Sequence, residues 1–245
     1  MKLLAWNIRH GGRTDVPLAP AIMAHDPDVI VLGEYRARGS EGLVEQLRFF
    51  GWPHVLASAV TGKTNGVVLL SKTPIEATPT PLGGPPFDCW GVEGNIAALR
   101  VLGVYAPLQG SVGSTPIVQR QFWAAMHRLM ETRQGERILV IGDFNTGAPG
   151  HDGPNSLPCS TAFERLPSLG WVDAWRASNP GRNDFSYIHR AASGRSNWRI
   201  DHAFVSPPVA SAVRACHYSH IEREQGLSDH SMLLIDIEDE AVAEA

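Results

Sequence analysis

A series of short apolar runs, most of them four to eight residues long, constrains this chain more than any other feature. Gly, Pro, Asn, Asp or Ser bounds most of the runs, which is the pattern of strands joined by shaped loops. Eight runs predict strands, at residues 3–8, 29–32, 67–70, 97–105, 138–141, 200–205, 213–218 and 232–237.

Helical spacing of apolar residues is confined to a few segments. It predicts helices over 40–50, 116–133 and 160–169, the last with Ser160 or Thr161 as its N-terminal cap. Strands therefore outnumber helices and do not alternate strictly with them. This order predicts an α/β fold of the α+β or layered-sandwich kind, rather than a barrel of eight βα units.

Length and composition fit one globular domain. The chain has 245 residues, 43% hydrophobic and 19% charged, and no linker divides it, so a single compact core is feasible. Five acids and no bases occur in the last ten residues. We therefore predict one domain over residues 1–238, followed by a short acidic tail at 239–245.

The compartment is inferred from what the sequence lacks. No run of about 20 apolar residues is present, so no membrane span is expected. The first apolar stretch is too short for a signal peptide. The three cysteines, Cys89, Cys159 and Cys216, are far apart and form no CxxC pair. These observations predict a reducing, cytoplasmic location.

Acids, amides and a histidine stand at or near the ends of five predicted strands. One such residue is usually an Asx turn, but five strands with polar residues of this kind are harder to explain as turns. Strand ends converge at one edge of a sheet, where sites are often built. The residues are Asn7, Glu34, Asp143, Asn145, Asp201, Asp229 and His230.

The chemistry of this set can be narrowed. Carboxylate and amide oxygens suit Mg²⁺, Mn²⁺ or Ca²⁺. The sequence contains no HExxH, GxxxxGK[ST], GxGxxG or GxSxG motif. What remains is metal-assisted hydrolysis at a Glu34-centred site, with an acid–base group such as His230 oriented by Asp201. Asp143 and Asn145, two residues apart, could activate water and hold a substrate oxygen.

Seven ordered blocks resemble the endonuclease/exonuclease/phosphatase superfamily of metal-dependent phosphohydrolases. They extend from about residue 3 to residue 237 and are LAWNI, PDVIVLGE, GVVLLSK, VYAP, GDFN, WRIDH and SDH. GDFN alone is a moderate signal, whereas the ordered set is specific. The resemblance implies a four-layered α/β/β/α sandwich, in which two mixed β-sheets lie face to face and are flanked by helices.

The resemblance also implies a metal site. Glu34 would be the main metal carboxylate, with Asn7 and Asp229 close to the ion. The expected cofactor is Mg²⁺, with Mn²⁺ possible as a replacement.

The remaining family residues would act on water and phosphate. Asp143 would orient or deprotonate the attacking water. Asn145 and Tyr105 would hold the scissile phosphate. His230, paired with Asp201, would contact the phosphate and stabilise charge in the transition state.

Within the superfamily, the exonuclease III and apurinic/apyrimidinic endonuclease branch is the most similar. Residues 169–176 resemble its block after the GDxN motif, and 185–187 with 197–201 resemble its abasic-site segment. Five arginines and one acid fall between residues 176 and 200. Phosphate contact and base stacking require this combination of arginine and aromatic residues. We therefore expect DNA to contact Arg176, Arg182, Arg190 and Trp198; the alternatives are a solvated loop and core tryptophans.

Several positions depart from the branch pattern. Gly33 stands where a glutamine is usual, Arg36 where a lysine is, Leu108 where an asparagine is, and His202 where a tyrosine or leucine is. The loop 146–160 is unusually rich in Gly and Pro. These departures point toward a different phosphoester. The leading hypothesis is a monomeric, metal-dependent DNA nuclease, and the alternative is a phosphodiesterase or phosphatase for a small-molecule or lipid phosphoester.

Overall fold

The computed structural model describes residues 1–79, 81–108, 113–191 and 194–238. Side chains of residues 189–191 and 194–195 are outside this description. Two predictions therefore fall outside the described residues, namely substrate contact by the Arg190 side chain and the acidic tail at 239–245.

The described residues form the following elements. The strands are β1 (Lys2–Asn7), β2 (Val29–Tyr35), β3 (His54–Ala57), β4 (Gly66–Ser71), β5 (Glu76–Thr78), β6 (Gly91–Ile96), β7 (Leu99–Tyr105), β8 (Ile138–Asp143), β9 (Val172–Asp173), β10 (Tyr187–Ala191), β11 (Gly194–Trp198), β12 (Asp201–Val205), β13 (Val213–Ser219) and β14 (Met232–Ile237). The helices are α1 (Leu18–Met23), α2 (Glu41–Phe49), α3 (Pro116–Thr132), α4 (Ser160–Glu164), α5 (Ala174–Ser178), α6 (Pro207–Ala210) and α7 (Ile221–Glu224).

Two six-stranded sheets are present among these elements. The first has the order β13-β14-β1-β2-β4-β3, and the second has the order β5-β6-β7-β8-β12-β9. Both are mixed, because β1–β2 and β7–β8 pair in parallel whereas their other neighbours pair antiparallel. Strands β10 and β11 form a separate antiparallel hairpin.

The sheets pack face to face, and helices cover their outer faces. Leu3 and Ala5 of β1 belong to the large core shared with the second sheet. The alternate residues Leu4 and Trp6 pack with α1 and α2 on the other side. A strand buried on both faces reads as a continuous apolar run, which is how β1 appears in the sequence. The prediction of a four-layered sandwich is confirmed.

The eight predicted strands are all present, with small differences at their ends. The run 97–105 begins as a strand only at Leu99, because Ala97, at φ 51°, lies in the turn between β6 and β7. Within the described part of the chain, no helix is long and apolar enough to cross a membrane.

The predicted helix over 160–169 is interrupted. It is helical to Glu164 and then continues as a 3₁₀ turn over Leu166–Leu169. Pro167 has no N–H to donate to the carbonyl of Phe163, so the α-helix cannot continue. The residue before the helix is Cys159, at φ 65°, and it makes no side-chain cap, so the prediction of Ser160 or Thr161 as the cap was wrong.

Candidate active site

Polar side chains from both sheets meet at one edge of the sandwich. Strand β1 ends at Asn7, β2 carries Glu34 and β8 ends at Asp143. The register of the second sheet sets Asp201 of β12 opposite Asp143, and Tyr105 of β7 on its other side. Strand pairing therefore brings together residues that are far apart in the sequence.

The end of β8 requires glycine at position 142. Gly142 has a φ of 142°, and a Cβ there would collide with the carbonyl oxygen of Val104. Asn145, at φ 50°, then turns back, and its N–H donates to Asp143 Oδ1 at 2.7 Å. Its side-chain Nδ2 donates to the carbonyl of Ala106 at 2.8 Å. The GDFN motif thus forms a fixed turn that holds Asp143.

His230 is held by a carboxylate and is buried. Its Nδ1 lies 2.8 Å from Asp201 Oδ2, and its carbonyl accepts from Trp6 Nε1 at 3.0 Å. Burial favours the neutral ring, but the charge and hydrogen bond of Asp201, with the charges of Asp143 and Asp229, outweigh it and raise the pKa of His230 to about 10. The ring is therefore an imidazolium at neutral pH.

At Asp143, burial and a neighbouring negative charge outweigh the groups that favour the ionised carboxylate. Complete burial, followed by the negative charge of Asp201, raises the pKa of Asp143 to about 7. Asn7 Nδ2 donates to Asp143 Oδ2 at 2.9 Å and to Glu34 Oε1 at 3.2 Å. Asn7 Oδ1 accepts from the N–H of Arg9 at 2.9 Å, so this amide positions both carboxylates.

Glu34, Asn145 and His230 border a cleft of about 430 Å³. One side is polar, and the other is formed by aromatic and aliphatic side chains. The rings of Tyr187 and Trp198 are stacked at 6.4 Å, and Tyr187 lies 4.9 Å from the His230 ring. The lining residues are His10, Glu34, Leu108, Asn145, Leu157, Tyr187, Trp198, Ile200, Asp229 and His230.

The donor set fits a divalent cation. The carboxylates of Glu34 and Asp229 both border the cleft and supply hard oxygen ligands. Ligand atoms of Asp143, Asp201 and His230 also lie within 4.8 Å of one another. Asp143 and Asp201 are buried, whereas Glu34 and Asp229 border the cleft, so Glu34 and Asp229 are the more accessible carboxylates for an ion, although Asp229 also lies 3.6 Å from Arg9 Nε.

Of the arginine side chains described between residues 176 and 200, two bind aspartates and one is exposed. Arg199 is buried and binds Asp152 through Nε at 2.7 Å and Asp173 through Nη2 at 2.6 Å. Arg176 also binds Asp152 and lies 3.9 Å from Asp173. Arg182 is exposed in the loop before β10. The charges of Arg176 and Arg199 are therefore balanced by Asp152 and Asp173.

Of the three tryptophans in or near this segment, two are buried in the core and one borders the cleft. Trp171 and Trp175 are buried in the core between the sheets and helices. Trp198 borders the cleft, and its indole lies directly against Gly153, where a Cβ would overlap the ring. The Gly-rich loop therefore provides space for Trp198.

Sequence reasoning missed a chain of polar contacts beside the cleft. Arg36 Nε donates to Asn65 Oδ1 at 2.7 Å, and Asn65 Nδ2 donates to the Tyr105 hydroxyl at 3.5 Å. Arg36 Nη2 also lies 3.0 Å from His10 Nδ1. The only signal was the position of Arg36, where related chains carry lysine.

Comparison with known proteins gives a family and a fold. The model of the endonuclease/exonuclease/phosphatase family matches residues 4–230. The chain is 23% identical to a DNA-(apurinic or apyrimidinic site) endonuclease from Dictyostelium discoideum, over 87% of this chain and 64% of that protein. It is 27% identical to an uncharacterized 149 kDa protein of transposon TX1 from Xenopus laevis, over 57% of this chain and 11% of that protein. The chain thus spans less than two thirds of either relative.

Solved structures share the whole fold. An AP endonuclease from Archaeoglobus fulgidus superposes with a TM-score of 0.83 at 19% identity, covering 98% of this chain and 100% of that one. A 3′ phosphatase from Neisseria, bound to a product DNA hairpin, gives a TM-score of 0.81 at 21% identity with the same coverage. The sandwich is therefore shared at full length despite low sequence identity.

Proposed function

Because this chain belongs to the endonuclease/exonuclease/phosphatase family, we propose that it is a hydrolase of DNA phosphodiesters that depends on Mg²⁺ or Mn²⁺. One observation carries the proposal. The buried Asp143 and the Asp201–His230 pair lie beside Glu34 and Asp229 at a single cleft. Asp143 can serve as the base, the imidazolium of His230 as a fixed positive charge, and Glu34 with Asp229 as metal ligands. These are the groups that phosphate hydrolysis needs.

Asp143 is the group that receives the proton of the attacking water. Its pKa of about 7 is matched to neutral pH, where a base must be able both to accept and to release a proton. Hydrogen bonds from Asn7 and from the N–H of Asn145 fix both of its oxygens. The carboxylate therefore reaches the water without first reorganising.

His230 and two polar neighbours hold the phosphate. Nδ1 of His230 is bound to Asp201, so Nε2 is the nitrogen that can donate to a phosphate oxygen. The charge on the ring opposes the negative charge that develops in the transition state. Asn145 and Tyr105 orient the same phosphate.

Glu34 and Asp229 would hold the metal ion, with Asn7 keeping Glu34 in place. When bound, the ion neutralises charge on the phosphate and the leaving oxygen. Mg²⁺ fits because it commonly uses one or two carboxylates together with phosphate oxygens and water.

DNA is the substrate that the surroundings of the cleft favour. The stacked Tyr187 and Trp198 offer an aromatic wall for a base or a deoxyribose. Arg182 and Arg190 belong to the segment beside this wall and are the arginines that we propose for phosphate contact. Arg176 is a weaker candidate, because its guanidinium is bound to Asp152. Relatives described as acting on or bound to DNA support this choice.

A small phosphoester is the second candidate. The cleft volume lies within the 300–1,000 Å³ typical of small-molecule pockets. Leu108, which borders the cleft where a branch member usually has asparagine, makes the cleft less polar.

A substrate panel tests both candidates. The panel holds three labelled duplexes: one with an abasic-site analogue, one with a 3′-phosphate end and one undamaged. We expect metal-dependent cleavage of at least one of them, and loss of that cleavage in Asp143→Asn. The control is Asp15→Asn, an exposed aspartate paired with Arg13, which should retain activity. Folded protein that cleaves bis(p-nitrophenyl) phosphate but no DNA would favour the small phosphoester. Inactivity on every substrate with either metal would contradict the proposal.

Two properties stay predictions. The cysteines Cys89, Cys159 and Cys216 are free, in keeping with the expected reducing, cytoplasmic location. The expected monomer can be checked by light scattering coupled to size-exclusion chromatography.

A further inference from the structure

The two members of the Asp201–His230 pair belong to different sheets. Asp201 begins β12 in the second sheet, whereas His230 lies just before β14 in the first. Their hydrogen bond, 2.8 Å between Asp201 Oδ2 and His230 Nδ1, therefore joins the two layers of the sandwich. The length of this bond depends on how the backbones at Asp201 and His230 are held relative to each other.

The backbone of Asp201 is bound by side chains on the edge of β12 that faces away from β8. Among the described residues, β9 is the strand on this edge, and it pairs only with the other end of β12. The N–H of Asp201 donates to Ser186 Oγ at 3.1 Å, and its carbonyl accepts from Tyr218 Oη at 2.5 Å. Ser186 Oγ also accepts from the N–H of Ile200 at 3.1 Å. A buried N–H needs such an acceptor, so the Ser186 hydroxyl takes the place of a neighbouring strand.

Ser186 reaches His230 through its backbone. Its carbonyl accepts from the N–H of Ser231 at 2.8 Å, and the next residue, Tyr187, forms an isolated antiparallel bridge with His230. Ser186 is completely buried and precedes β10, so it belongs to neither six-stranded sheet. One residue thus binds the backbone of Asp201 through its hydroxyl and the chain next to His230 through its carbonyl.

The segment that carries Ser186 is itself held in place. Arg223 Nη1, on α7, donates to the carbonyl of Phe185 at 2.5 Å. The N–H of Phe185 donates to Asp184 Oδ1 at 2.8 Å, and this carboxylate also contacts His220 Nε2. Ser186 is therefore a fixed point to which both sheets are bound.

We propose that Ser186 is a positioning residue, which holds Asp201 and His230 at hydrogen-bonding distance so that His230 Nε2 faces the phosphate. The inference rests on the proposed hydrolytic function and adds to it a residue that acts through the pair and not on the substrate. Ser186→Ala takes the acceptor away from the N–H groups of Ile200 and Asp201, so β12 is free to shift relative to His230. A displacement of about 1 Å at a catalytic group can lower a rate about 100-fold.

Ser186→Ala and Ser206→Ala form a matched pair. Ser206 follows the other end of β12 and is equally buried, and its Oγ accepts from the N–H of Ile138 at 3.0 Å. Each substitution removes a buried hydroxyl that binds a backbone N–H, so both should lower the midpoint of thermal unfolding by similar amounts. Only Ser186→Ala should also lower kcat, by about 10- to 100-fold with KM little changed, on the substrate that the wild-type protein cleaves.

Nuclear magnetic resonance of protein labelled with ¹⁵N-histidine tests the positioning without substrate or metal. The Nδ1 proton that His230 donates to Asp201 gives a downfield resonance, which is identified by its absence from His230→Gln. We expect Ser206→Ala to retain this resonance and Ser186→Ala to lose it or to show it shifted upfield. Circular dichroism of each variant excludes unfolding as the cause of a lost signal.

The outcomes separate this inference from the proposed function. An unchanged resonance or wild-type kcat in folded Ser186→Ala would overturn the role of Ser186 and leave the proposed hydrolysis standing. Equal losses of kcat in Ser186→Ala and Ser206→Ala would also overturn it, because a general loss of stability would then explain both. A resonance that moves only in Ser186→Ala, in a protein that cleaves no substrate, would support the positioning of the pair and contradict the proposed hydrolysis.

Discussion

Two groups of buried carboxylates differ in charge balance. In the neutralised cluster, Asp152 and Asp173 are bound by Arg176 and Arg199. In the second cluster, which we propose to be catalytic, the two carboxylates of Asp143 and Asp201 share one imidazolium, that of His230.

The pKa values follow this difference. Burial acts to raise the pKa of Asp152, but the positive charges and hydrogen bonds around it, those of Arg199 included, outweigh burial and lower it. Asp143 lacks an arginine and its pKa is raised to about 7. The charges of Asp152 and Asp173 are thus matched by two arginines. Asp143 and Asp201 have one imidazolium between them, which leaves negative charge that a bound cation could neutralise.

The largest expected effect comes from exchanging one acid for an amide in each cluster. Asp143→Asn should lower turnover about 10³-fold, because the base is removed. Asp152→Asn should leave turnover nearly unchanged and lower the midpoint of thermal unfolding. Steady-state kinetics and thermal unfolding at pH 8 measure both. Turnover of Asp143→Asn within about tenfold of wild type would contradict the assignment of the base.

The pH dependence of the same variant has a defined sign. The pKa of Asp143 is raised from 3.8 to about 7 in the folded state, so its contribution to stability is present at low pH and is lost as pH rises through 7. Asp143→Asn should therefore unfold at a higher temperature than wild type above pH 7. A lower midpoint there would mean that the ionised carboxylate stabilises the fold.

Arg199→Met should have the next largest effect. It leaves Asp152 and Asp173 buried without their shared guanidinium, and removing one partner of a buried pair destabilises a protein by about 3–5 kcal/mol. Urea unfolding measures the loss. Arg182→Met, at an exposed arginine, is the control and should change stability by less than about 0.5 kcal/mol. Equal effects of the two substitutions would remove the distinction between buried and surface arginines.

His202, which follows Asp201 in the sequence, is a buried histidine whose pKa is lowered, whereas that of His230 is raised. Burial and then the Arg199 charge lower its pKa from 6.5 to about 4, and aromatic rings of Phe144 and Phe163 surround it. Its contribution to stability is therefore present above pH 6.5 and is lost as pH falls through 4, by about 3 kcal/mol in all. His202→Leu should flatten the stability profile between pH 6.5 and 4. Parallel urea-unfolding profiles of variant and wild type would show that His202 does not titrate there.

Arg182→Ala should give the smallest effect. If this exposed arginine contacts a DNA phosphate, the slope of log binding constant against log salt should decrease by about one. The same substitution at Arg13, which is exposed and paired with Asp15, serves as the control. Equal slopes for wild type and Arg182→Ala would leave Arg182 as a solvated surface residue.

The strands that carry the site were predictable because their side chains are apolar on both faces. Strands β1, β2, β4, β8 and β14 appear as uninterrupted hydrophobic runs. Strands β3, β5, β6, β9, β10 and β11 were missed because they are short, alternate weakly or are polar. Strand β3 alternates half-buried and exposed residues, and β11 reads Gly-Arg-Ser-Asn-Trp.

The residue types of the site were predictable, but their contacts were not. The approach of Asp143 to Asp201 depends on the antiparallel register of β8 and β12, which neither segment specifies alone. The position of His10 at the cleft was not predictable, since a left-handed turn of non-glycine residues is not visible in the sequence. The neutralised cluster was missed because Asp152 stands in a Gly- and Pro-rich loop that resembles solvent-exposed chain.

The position of β14 between β1 and β13 has a consequence for synthesis of the protein. β1 pairs with β14, which is synthesised much later, and Asp229 and His230 come just before β14. A nascent chain synthesised as far as residue 220 contains Glu34 and Asp143 but neither Asp229 nor His230. The hydrolytic centre that we propose is therefore complete only once β14 has joined the first sheet, and a partly synthesised chain would lack the proposed activity.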